Sequence, residues 1–125
     1  MMLVRPDTQR RLQTHHPEVA AELDKLGQVL DGTGLNAQLL ALCGDYIESN
    51  LSNREWAPPK SPGALEAACL DVCEQFMISV SDMREEQIAA LRRHLSTDDV
   101  YNLMYAIYLI EMSKRLDLTL DRVLQ

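Results

Sequence analysis

Cys69 and Cys73 stand four residues apart, a C-x-x-x-C spacing that stacks two thiols on one face of a helix. Redox-active pairs favour C-x-x-C near a helix N-terminus, where the dipole lowers the pKa of the attacking thiol. Both cysteines fall on or beside an apolar stripe, so buried structural thiols are the first expectation and a reactive pair the second. Cys43 reads as a core residue for the same reason. Glu111 lies in the middle of an apolar helix, a setting that raises a carboxyl pKa and suits it to proton transfer. Lys114 and Arg115, three and four residues on, offer it the plainer role of ion-pair partner. Cys69, Cys73 and Glu111 are thus the candidate catalytic residues, and none of them completes a motif.

His15, His16, Glu18 and Glu22 are close in sequence, but Pro17 interrupts the helix between them and adjacent histidines point apart. His94 follows Arg92-Arg93 on the polar side of its helix. Neither set has the spacing of a zinc site or of a paired E-x-x-H motif. No Gly-rich phosphate loop, G-x-S-x-G or H-E-x-x-H occurs. No metal and no other cofactor is expected. Tyr101, Tyr105 and Tyr108 recur at i, i+4 and i+7, with Met104 beside them. Such a stripe lines a pocket or an interface, because tyrosine joins a large apolar body to a polar tip; core packing is the competing role. Trp56 is the other candidate contact residue, in a segment of irregular composition.

Prolines and glycines divide the 125 residues into about six helices. Asp7 to His15 forms a short helix turning at Pro17, which is well placed as a first helical residue. Val19, Leu23, Leu26 and Leu30 then recur at helical spacing until Asp31-Gly32-Thr33-Gly34. A helix from Leu35 to Leu51 follows, and Ser52 to Gly63, with three prolines, is the one long loop. Ser61 and Pro62 open the next helix, whose stripe is Leu65, Cys69, Val72, Phe76 and Val80. Asp82 and Glu85 form a capping-box-like start for another, through Ile88, Leu91 and Leu95. Asp98 to Leu116 is apolar around most of its circumference, as in a helix that is central or shared with another subunit. Thr119 caps a short final turn through Val123 and Leu124. The expected fold is all-α, one domain of residues 1–125, with N-terminal helices over 7–51, a loop over 52–63 and C-terminal helices over 64–125.

A hydrophobic content of 46% excludes a disordered chain and supports one core. Twelve Lys and Arg against 19 Asp and Glu, a net charge of −7, argue against nucleic-acid binding, which needs a basic face. The N-terminus lacks the apolar stretch of a secretory signal, and no segment approaches the ~18 apolar residues of a membrane span. Three cysteines, an odd number, argue against a disulfide framework. A cytoplasmic protein without membrane contact is expected.

The chain resembles the carboxymuconolactone decarboxylase and alkylhydroperoxidase AhpD-like superfamily. His15-His16-Pro17-Glu18-Val19, running into Leu26-Gly27-Gln28-Val29-Leu30 and Gly34-Leu35-Asn36, is similar to the opening helices of that family. Ser61 to Leu65, Asp82, Leu91 to Ser96 and Val100 to Arg115 are similar to its later ones. The resemblance implies an AhpD-like helical bundle and a habit of forming oligomers. Peroxidase members carry a C-x-x-C after the second helix, with a nearby Glu and a downstream His. Here Ser52-Asn53-Arg54-Glu55-Trp56-Ala57-Pro58-Pro59 takes that place, so the catalytic role does not carry onto Cys69 and Cys73. The first expectation is a non-catalytic protein that self-associates through the helix beginning at Asp98 and through the Trp56 loop, with a homo-oligomer or another protein as partner. A thiol-dependent peroxide reductase or small-acid decarboxylase is the second, and a small-molecule binding module the third.

Overall fold

A computed structural model describes residues 1–123, and Leu124 of the expected final turn lies outside them. The described chain is all helical: α1 (Pro6–His15), α2 (Pro17–Gly32), α3 (Ala37–Leu51), α4 (Ala64–Ser79), α5 (Glu85–Arg92) and α6 (Thr97–Val123), with one 3-10 turn at Val80–Asp82. None of these helices is long and apolar enough to cross a membrane.

The starts of the helices follow from local chemistry. Pro6 and Pro17 sit in the first turns of α1 and α2, where a missing N–H costs nothing. The Asn36 side chain accepts from the N–H groups of Gln38 and Leu39 at 2.8 and 3.1 Å, so α3 begins at Ala37 rather than Leu35. Gly34, at φ +75°, makes the left-handed turn between α2 and α3 that a side chain would oppose. Pro62 is not helical. Gly63 caps α4, and Glu66 reaches back to its N–H. Asp82 accepts from Ser79 Oγ at 2.8 Å and closes the 3-10 turn, while Gln87 reaches back to the Arg84 N–H to open α5.

α1 and α2 fold back on each other about Pro17, with Gln9 Nε2 donating to the Ala20 carbonyl and to Asp24. α3 packs chiefly on α6 and α4. Leu40, Cys43 and Ile47 belong to one buried cluster with Leu103, Ile107 and Ile110 from α6 and Cys69 and Val72 from α4. α3 and α4 run parallel: Cys43 neighbours Cys69 and Cys73, and Tyr46 neighbours Glu74. Two consecutive parallel helices need a connection that returns the length of the first, about 22 Å for α3. That requirement explains the long segment 52–63.

α6 runs unbroken to Val123, without the separate turn expected at Thr119. Asp117 is buried there, and its Oδ1 accepts the Arg5 backbone N–H at 3.0 Å. The Arg5 guanidinium bridges Glu48 and Asp121, each at 2.5 Å, tying the N-terminal segment to α3 and α6. Contacts so distant in sequence leave no local signal at the end of a helix.

Candidate functional site: the outer face of α6

The buried face of α6 carries Val100, Leu103, Ala106, Ile107, Leu109, Ile110, Ser113 and Asp117. Ser113 satisfies its hydroxyl by donating to the Leu109 carbonyl at 2.7 Å. The opposite face carries the tyrosine stripe into the open, with Tyr101 73%, Tyr105 37%, Tyr108 56% and Met112 37% exposed. Met104 lies half-buried along its edge and packs on the core. Between Asp98 and Arg115 the helix is therefore two-sided, with its large aromatics outside and its branched aliphatics inside.

The exposed stripe also extends beyond the apolar residues. Asp98 precedes Tyr101 by three positions, and Arg115 follows Met112 by three; both are exposed. Positions 98, 101, 105, 108, 112 and 115 alternate steps of three and four, the spacing of a coiled-coil seam. Asp98 and Arg115 were not among the residues singled out by chemistry, although their spacing was visible as a continuation of the tyrosine pattern. Glu111 is half-buried and pairs with Arg115, which makes it an ion-pair partner rather than an isolated acid.

Cys43, Cys69 and Cys73 are free, fully buried and gathered at the α3–α4 contact. Burial, with the Cys43 and Glu66 charges, pushes the Cys69 thiol up to about 12. Hydrogen bonding between Cys43 and Cys73 lowers the former and pushes the latter far up, while burial opposes thiolate formation at both. Reactive thiols require the reverse environment, exposed and electropositive. His15 and His16 are exposed at the α1–α2 junction and His94 in the turn after α5, and among the described residues no three His, Cys, Asp or Glu converge to hold a metal.

Trp56 docks on its own chain. Its indole N–H donates to Asp45, and its ring meets Tyr46 edge-on. Tyr46 in turn donates to Glu74 on α4 at 3.3 Å; burial and that carboxylate raise its phenol pKa. The pinned loop forms one wall of an open groove of about 570 Å³, lined by Leu39, Leu42, Pro59 and Leu65, with Asp45, Lys60 and Glu66 as its charged groups. The tyrosines of α6 are not part of its lining.

Comparison of the chain with known protein families, with curated proteins and with solved structures finds no match.

Proposed function

We propose that this is a non-catalytic helical protein that acts through self-association, with the outer face of α6 as its interface. The observation that carries the proposal is the row Tyr101, Tyr105, Tyr108 and Met112, all exposed on one line of the longest helix. Large aromatics at such a density are what the buried centre of an interface uses, and a contiguous exposed row of them marks a contact surface. The thiols support the non-catalytic part, since all three are buried and Cys69 resists ionisation until about pH 12. Kinship with the AhpD-like superfamily is a separate proposal, supported by the residues quoted above; self-association does not depend on it. Light scattering across a concentration series tests the proposal: the mass is expected to rise towards a multiple of the chain, and a constant monomer mass would contradict it.

A second reading is favoured by the groove beside the Trp56 loop. Its volume of about 570 Å³ falls within the range of small-molecule sites, and its mixture of leucines with a few charged groups suits a small amphipathic ligand. A thermal-shift screen discriminates, because a ligand that binds only the folded state raises Tm.

A further inference from the structure

We infer that the second copy docks antiparallel, across a twofold axis that passes α6 between Tyr105 and Tyr108; this rests on the self-association proposed above. Along the exposed seam the order is Asp98, Tyr101, Tyr105, Tyr108, Met112, Arg115. Turning that row end for end places Tyr105 opposite Tyr108, Tyr101 opposite Met112 and Asp98 opposite Arg115. The row is complementary to its own reverse, which is the condition for an isologous contact. In an antiparallel coiled-coil seam each position faces one of the other kind, and steps of three and four deliver that pairing throughout.

The alternatives meet specific penalties. A parallel pair sets Asp98 against Asp98 and Arg115 against Arg115, like charges at both ends. Sliding the antiparallel pair by one heptad sets Tyr105 opposite Arg115 in one direction. In the other it sets Met112 opposite residue 94, before the start of α6. Only the centred register buries all four apolar side chains against one another. It also opposes the two helix dipoles, each of which is stabilised by opposite charge near its ends. The whole chain carries −7, so two copies repel on average, whereas at each end of the seam Asp98 meets Arg115, whose guanidinium also holds Glu111 of its own helix. Four side chains per copy make a contact smaller than the ~800 Å² per partner of a standard interface, the size class of weak, reversible association.

Disulfide trapping of the full chain tests the arrangement, with sedimentation equilibrium of the unmodified protein as its companion. Asp98→Cys and Arg115→Cys are prepared separately, mixed and mildly oxidised; the native thiols, being buried, stay silent. The mixture is expected to form a 98–115 cross-link, with neither variant cross-linking to itself. A native dimer in which Asp98→Cys cross-links to itself leaves self-association standing and overturns the antiparallel arrangement. A native dimer with neither cross-link overturns it as well. A native protein that sediments as a monomer at hundreds of micromolar removes the self-association reading itself. As a second variant set, Asp98→Arg and Arg115→Asp are each expected to weaken association about tenfold, and the double reversal to restore it. Unchanged association in both single variants would overturn the proposal.

Discussion

The indole N–H of Trp56 donates to the Asp45 carboxylate at 2.8 Å while its ring lies edge-on to Tyr46, with centroids 4.9 Å apart. This pair of contacts holds the returning loop against α3. Trp56→Ala removes both the hydrogen bond and the aromatic contact, and is expected to cost about 1 kcal/mol, a fall in Tm of about 4 °C. Limited proteolysis should then cut within 52–63 much faster than in the native protein, and equal rates would show that the tryptophan does not restrain the loop.

The N-terminal segment is held through charge. The Arg5 guanidinium holds the Glu48 carboxyl below its ordinary value near 4.5, with Lys114 adding to the effect against the opposing influence of burial. A carboxyl with a depressed folded pKa gives stability that is present above the unfolded value and is lost as pH falls through the folded one. Tm should therefore decline below about pH 4.5. Glu48→Gln should flatten that limb, the contribution being about 1 kcal/mol after solvent screening of the partly exposed arginine. Asp117→Ala deletes a buried acceptor and is expected to cost more, about 2 kcal/mol by urea unfolding.

Buried thiols give the opposite pH signature. Cys69 ionises near 12 in the fold against an ordinary value of 9.0, so its contribution is intact below pH 9 and is lost as pH climbs towards 12. Cys69→Ala should reduce the alkaline loss of stability. Iodoacetamide at pH 8 is expected to leave the native protein unlabelled and to modify all three cysteines after denaturation. Rapid native labelling of Cys69 or Cys73 would instead restore a redox role.

Much of the fold was legible because its punctuation is local. Pro17 and Gly34 act within a turn of where they stand, and Cys43, Cys69 and Cys73 declare their burial through apolar neighbours; Pro6 and the Asn36 cap, which set the starts of α1 and α3, were not read. The length of α6 was not legible, since Asp117 reads as a polar helix end until the Arg5 N–H, 112 residues away in sequence, is placed on it. The start of α4 shifted by two residues because Gly63 and Glu66 satisfy each other better than Ser61 and Pro62 could. For the candidate site, the spacing of the tyrosines was plain, but their exposure was not. Leu103, Ile107 and Ile110 compete with them for α3, and the branched aliphatics take the inside because their volume fills the gap beside Cys43 and Ile47 without leaving a hydroxyl to satisfy.

The groove next to the Trp56 loop yields an independent expectation. A carboxylate on an apolar ligand would pair with Lys60, whereas an amine would pair with Asp45 or Glu66. In a thermal-shift screen of both classes, Lys60→Glu should abolish any rise in Tm given by acids and preserve a rise given by amines. A rise that ignores this substitution would place the ligand elsewhere.

Sedimentation equilibrium of the native chain beside a Tyr105→Glu, Tyr108→Glu variant puts self-association through α6 to the test, with circular dichroism confirming that both are equally helical. Native protein is expected to associate reversibly and the variant, with two charges at the centre of the seam, to remain a monomer across the same concentrations. A native monomer, or a variant that associates as well as the native chain, would contradict self-association through α6.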